Sequence, residues 1–439
     1  MIEKYYNGVI EQVAGGIGNV EHNSILVRYS NDFSIWDLES VNHYKDQSDI
    51  FFTCHEFSYN KIAEAYEPYL GLIRQMFHKY CSGTLEEFME ECDVYKLQRP
   101  VFESYFENGF CERTEQILID EVEYEQERMR NSIVTMLQKL SEIRPVVIVL
   151  NRFQLASKST MQLSNSLLQV KNKNIGIVLG VNDVQSIPEF AHEEWDAICE
   201  SMDDRNMVYH IGNAGRNMEP DVMDYYSDYE SDDGYRKLNN LVYFLDFDQA
   251  NHHLSKIERR IKFDNFTISE KKHYQLLLLQ IMVSVLQRDI AKALESCEDL
   301  EKLQDQEKEG AFYYNFWMAT SYMYLGKLEE AMIYVQKAKE CGEALGDDFL
   351  VFRAELLKAQ NQMSGWCNIF FCAQDIEISD KLIEKLNAYH YKNHLAHIYI
   401  YAYDNKPEIV AKAYRSEAFL IYFSKGVRSE ERRVGKECR

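Results

Sequence analysis

The chain has 439 residues, 46% hydrophobic and 27% charged, with 71 acidic against 48 basic side chains and a formal net charge of −23. That length predicts two or three domains, each with its own core, and that composition excludes a largely disordered chain. The negative field repels phosphate backbones and anionic lipid, so neither nucleic acid nor a membrane surface is an expected partner.

No run approaches the roughly 18 apolar residues of a membrane span. The N-terminal MIEKYYNGVIEQ is amphipathic and acidic, unlike a signal peptide. A cytoplasmic location is therefore the expectation. The ten cysteines are scattered through apolar segments without a CxxC pair, as free thiols in a reducing compartment would be. Cys367 and Cys372 lie closest, and nothing beside them completes a zinc site.

In chain order, Gly15-Gly16-Ile17-Gly18 follows a helical pattern and reads as a turn. Ile25–Tyr29 and Asp49–Cys54 are short β-type runs. Helical patterns follow over Tyr59–Cys81, Thr84–Tyr95 and Glu115–Ile143. Val146–Leu150 is a continuous apolar run of the kind buried on both faces of a parallel sheet. A helix over Ser159–Gln169 leads to a second such run, Ile175–Val181, and Met207–Ile211 is a last short one. Strands alternating with helices predict a three-layer α/β domain, with Val146–Leu150 and Ile175–Val181 as adjacent parallel strands.

Between Glu219 and Asp233 lie seven acids and no base. A calcium loop fails there, because Gly234 falls one position late and Asn239 replaces the closing Glu. A solvated acidic linker over 216–238 is expected instead. From Asn239 to Val427 apolar residues recur at helical spacing. The adjacent His252 and His253 are expected on a helix surface rather than on a metal.

Phe316–Gly342 (FWMATSYMYLGKLEEAMIYVQKAKECG) resembles the tetratricopeptide repeat. Ala319, Tyr322, Leu325, Gly326, Ala331 and Ala338 stand at that family's small, aromatic and turn positions. Ala319 and Ala331 are small where paired helices cross, Tyr322 fills the space between them, and Leu325-Gly326 ends the first helix. A weaker copy precedes it at Gln280–Leu300, with Ala293 in the place of Ala331, and weaker helical pairs follow to Phe423. The resemblance implies an all-α solenoid over 239–427 that holds a protein or peptide partner.

Arg144–Gln169 (RPVVIVLNRFQLASKSTMQLSNSLLQ) resembles the Walker B region of signalling ATPases related to AAA+ proteins, the STAND type. Val146–Leu150 matches the strand, Ala156 the alanine and Ser159-Thr160 the helix start. His55–Phe77, with Tyr66-Glu67-Pro68-Tyr69, resembles the helix that follows that family's second strand, and Ile175–Asp183 resembles its fourth, sensor-bearing strand. The resemblance spans about residues 20–215 and implies a P-loop-NTPase-like sheet over 1–215.

The departures point to lost chemistry. Asn151 and Arg152 occupy the two acid positions that would hold magnesium and orient water. Asn182 stands at the sensor position. The vestigial phosphate loop, Ser30–Ser34, has no Gly or Lys, and Asp32 would repel phosphate from between Ser30 and Ser34. A rival loop at Arg152–Thr160 ends in Lys158-Ser159-Thr160 but lacks both glycines. No catalytic residue, cofactor or metal is expected.

Residues 428–439 (RSEERRVGKECR) are basic in an acidic chain and resemble the translation of a sequencing adapter, so they are set apart as an artefact. Residues 1–427 then resemble the N-terminal part of a large bacterial signalling protein. The expectation is a non-catalytic regulatory scaffold, able to form homo-oligomers. The alternative is the sensory half of a truncated diguanylate cyclase or transcription regulator, with its output domain after Val427; an active ATPase is the third reading.

Overall fold

The computed structural model describes residues 2–18, 23–29, 34–45, 49–58, 61–95, 98–111, 122–170, 172–182, 187–203, 208–211, 231–263 and 267–367. The chain divides into two compact units, Met1–Thr267 and Ile268–Arg439.

The first unit is built on five parallel strands: β1 (Ser24–Tyr29), β2 (Phe51–Glu56), β3 (Val146–Asn151), β4 (Ile175–Asn182) and β5 (Val208–Ile211). Their order across the sheet is β2-β3-β4-β1-β5. β3 and β4 are adjacent and parallel, with Val146 opposite Ile175, and the helix Lys158–Val170 connects them. Both strands are buried along their whole length, which is why they read as unbroken apolar runs. β2, at the sheet edge, is half-buried throughout and sits two residues later than its pattern suggested.

Several helix boundaries differ from the periodicity. The helix expected from Tyr59 begins at Tyr69, because Pro68 has no N–H to donate and Tyr66 adopts a left-handed φ of 56°. Arg99–Asn108 and His192–Asp203 are helices that the pattern did not single out. Of the segment Glu115–Ile143, Val122–Ile143 is helical and residues 115–121 lie outside the described residues.

The largest correction concerns the boundary between units. Part of the expected linker is helical: Asp232–Tyr243, capped where the Ser231 side chain accepts the Gly234 N–H at 2.9 Å. This helix and the next, Phe247–Phe263, belong to the first unit, which closes at Thr267 rather than before Asn239. The reason is aromatic packing. Phe244 sets its ring against Tyr66, Phe102 and Tyr105 at centroid distances of 6.3, 5.7 and 5.5 Å. His253 is buried and hydrogen-bonded to Gln249, and His252 packs on Phe190, so neither is the solvated surface group expected.

The second unit is helical throughout its described residues, with helices at Glu270–Leu286, Ile290–Lys302, Gly310–Tyr324, Leu328–Leu345 and Asp348–Cys367. Ala293, Ala319, Ala331 and Ala338 are wholly buried. Ala319 packs in a cluster with Val335 and Leu357. Tyr322 stacks on Tyr334, with centroids 5.5 Å apart. Gly326 turns the chain at φ 72°, and the Lys327 N–H reaches back to the Tyr322 carbonyl at 3.0 Å. Leu325 caps the helix Gly310–Tyr324 in this turn and is 46% exposed. The weaker pairs expected beyond residue 367 lie outside the described residues.

Candidate functional site

In parallel α/β sheets, ligands bind outside the carboxyl ends of the strands, where the connections diverge. In this sheet the chain leaves β1 toward β2 and leaves β4 toward β5, so the divergence lies between β1 and β4. Tyr29 and Asn182 end β1 and β4 there, and Asn151 and Glu56 end β3 and β2 beside them along the same carboxyl side.

Among the described residues, the protein's own side chains pack together at these ends. Asn151, which follows the apolar run of β3, is wholly buried, and its Oδ1 accepts the Tyr29 hydroxyl proton at 2.8 Å. Tyr29 is itself wholly buried at the end of β1. Tyr6, from the N-terminal helix Ile2–Gly15, completes the cover. Its hydroxyl lies where a Cβ on Gly180 would stand, and Asn151 Oδ1 would be 2.7 Å from that Cβ. Burial, with Tyr29 and Glu56 nearby, pushes the Tyr6 hydroxyl well above the ordinary tyrosine range, so it stays protonated.

Arg152 follows β3 in a left-handed conformation at φ 54°. Its guanidinium pairs with Glu56 at 3.0 Å, and both side chains are largely buried. The other Glu56 oxygen accepts the Ile35 N–H at 2.9 Å and the Ser34 hydroxyl at 3.4 Å. Ser34 thus joins the same cluster, while Ser30 and Asp32 lie outside the described residues. Asn182 is buried, and its N–H donates to Gln154 Oε1 at 3.1 Å.

A second polar region surrounds the rival loop. The N–H of Ser159 donates to Asp246 Oδ2 at 2.8 Å, and Asp246 Oδ1 accepts the Gln249 N–H at 3.3 Å. Lys158 pairs with Asp248 at 2.7 Å and stands 3.6 Å from Glu194. The Ser157 hydroxyl reaches the Glu64 carbonyl at 2.8 Å, and Thr160 Oγ1 donates to the Glu67 carbonyl at 3.1 Å. The Ser-Lys-Ser-Thr stretch therefore serves to hold residues 64–67 and Asp246.

Residues 64–67 carry two carboxyls. Glu67 Oε2 accepts the Glu64 N–H at 3.0 Å, and Glu64 Oε2 accepts from Asn240 Nδ2 at 2.8 Å. Burial first, then the neighbouring Glu67, pushes Glu64 up to about 7. His55 stands 3.5 Å from Glu67, and burial lowers it to about 4. Among the described residues no group of three His, Cys, Asp or Glu side chains could hold a metal ion.

The structure thus gathers Asn151, Arg152 and Ser34 at one edge of the sheet, with Asn182 ending the neighbouring strand. Sequence reasoning missed Tyr6, Glu56, Gly180 and Asp246. Glu56 alone carried a readable signal, as an acid two residues past the β-type run Asp49–Cys54. Among the described residues no helix is long and apolar enough to cross a membrane. Comparison with protein-family models, curated proteins and solved structures finds no match for the chain.

Proposed function

We propose that this protein is a non-catalytic regulatory scaffold: a nucleotide-binding-type α/β unit with a closed site, joined to tetratricopeptide-like hairpins that hold a protein or peptide partner. The observation that carries the reading is the Tyr29–Asn151 hydrogen bond at 2.8 Å, between wholly buried groups, where a magnesium-triphosphate complex would need open space and acids. The pairing of Arg152 with Glu56 adds to it, since a neutralised guanidinium offers little to a phosphate. The order β2-β3-β4-β1-β5 differs from the dinucleotide-binding order 3-2-1-4-5-6 and the flavodoxin order 2-1-3-4-5. A P-loop-NTPase-like ancestry accommodates this order.

For the helical unit, the support is the burial of Ala319, Ala331 and Ala338, the Tyr322–Tyr334 stack and the positive φ of Gly326. One such hairpin cannot bury its own face, so neighbours stack on it and leave an extended surface for a partner.

Isothermal titration with ATP, with and without magnesium, tests the closed site. No magnesium-dependent heat is expected. Micromolar, magnesium-dependent binding that Arg152→Ala abolishes would overturn the scaffold reading in favour of an active NTPase.

A further inference from the structure

The turn that opens the helix Lys158–Val170 has the parts of an anion site: N–H groups at the start of a 13-residue helix, the three hydroxyls of Ser157, Ser159 and Thr160, and a lysine. The structure shows what fills it. Asp246 is buried, and one of its oxygens receives the Ser159 N–H at 2.8 Å. Burial pushes this carboxyl up, and the hydrogen bonds from Ser159 and Gln249 work against that shift and favour its charged form. The other oxygen receives the Gln249 N–H, the third residue of the helix Phe247–Phe263. One carboxylate therefore serves the N-termini of two helices, across the 87 residues that separate Ser159 from Asp246.

The surrounding groups sharpen the point. Lys158, the one cation in the Ser157–Thr160 turn, is held by Asp248 and Glu194 at 2.7 and 3.6 Å. Its field also reaches Asp246. The neighbouring Thr160 N–H is taken by the Ser157 hydroxyl at 3.3 Å. Gln126 Nε2 donates to the carbonyl of Leu245 at 2.6 Å, and Leu245 itself is held at φ 67°. The chain thus bends sharply just where it delivers Asp246 to the turn.

We propose that Asp246 is an internal anion latch: its carboxylate occupies the anion position of the Lys158–Thr160 turn and so fixes the helix Phe247–Phe263 to the sheet through the helix Lys158–Val170. The latch explains why a turn built from Ser, Lys, Ser and Thr needs no external phosphate. It stands whether or not the carboxyl edge of the sheet binds nucleotide.

Hydrogen exchange of the full chain tests it at two amides, Ser159 and Gln249. In Asp246→Ala both should exchange about tenfold faster, together, because both lose a charge-assisted acceptor. Formate should restore protection when ionic strength is matched with sodium chloride, and formamide, of similar shape without charge, should not. Asp246→Asn keeps the shape and one acceptor oxygen, and should fall between wild type and Asp246→Ala at both amides. If Asp246→Ala fails to fold, Asp246→Asn reads the same two amides. Faster exchange at Gln249 alone, with Ser159 unchanged, would overturn the latch. Restoration by formamide equal to that by formate would show that shape, rather than an anion, is what the turn requires.

Discussion

A Cβ at Gly180 would meet the Tyr6 hydroxyl and come within 2.7 Å of Asn151 Oδ1. Both neighbours are wholly buried or nearly so, and Asn151 is tied to Tyr29. Gly180→Ala must therefore displace Tyr6, Asn151 or both. It should cost roughly 1–3 kcal/mol by overpacking. Urea unfolding measures this, and an unchanged midpoint would show that the cover over the sheet edge yields easily. Arg152 shows the opposite case at the same edge. Its left-handed backbone costs about 1–2 kcal/mol for a residue with a Cβ, and the ion pair with Glu56 helps to offset that cost.

At the scale of the element, the helices Gly310–Tyr324 and Leu328–Leu345 depend on small residues where they meet. Ala319 and Ala331 have no exposed surface, and Phe316, Met323 and Tyr334 pack around the cluster that includes Ala319. There is no space for three further carbons. Ala331→Leu should destabilise the helical unit by roughly 1–3 kcal/mol. A thermal midpoint equal to that of the wild type would mean that the two helices do not approach closely at Ala331. Leu325, by contrast, is exposed in the turn, so its replacement by a polar residue leaves this packing untouched.

The pH response of the whole molecule follows from groups buried in unusual charge states. Glu64 rises from 4.5 to about 7, through burial and then through Glu67. The folded protein thus keeps a proton that the unfolded chain has released, and stability falls as the pH climbs from about 4.5 to about 7. The charged groups that face Glu64 are Glu67, Lys237 and Asp233, with Asn240 bonded to it. His55, His252 and His253 act with the opposite sign. Burial lowers them to about 4, 4 and 3, so stability rises as the pH passes upward from those values to 6.5. Glu64→Gln leaves the histidines in place and so isolates the carboxyl. The variant should gain on the wild type across pH 4.5 to 7, by a total on the order of 1–3 kcal/mol. Denaturant unfolding at several pH values reads the difference, and parallel curves for the two proteins would show that folding does not shift the Glu64 titration.

The sequence by itself determined the parallel sheet core and the helical character of the second unit. Val146–Leu150 and Ile175–Val181 are so uniformly apolar that only interior strands could bury them, and β3 and β4 pair as that implies. The absence of a glycine-rich phosphate loop was equally legible, since it depends on residue type alone. The side-chain contacts at the strand ends were decided by tertiary structure. Tyr29 and Asn151 are 122 residues apart, Ser159 and Asp246 are 87 apart, and Tyr6 comes from a helix that precedes the first strand. No local period encodes such partners. The boundary at Thr267 escaped for the same reason: helical spacing marks which face of Asp232–Tyr243 and Phe247–Phe263 is buried, but not which unit buries it. Phe244 settles that through Tyr66, Phe102 and Tyr105, rings that only the folded chain brings to it.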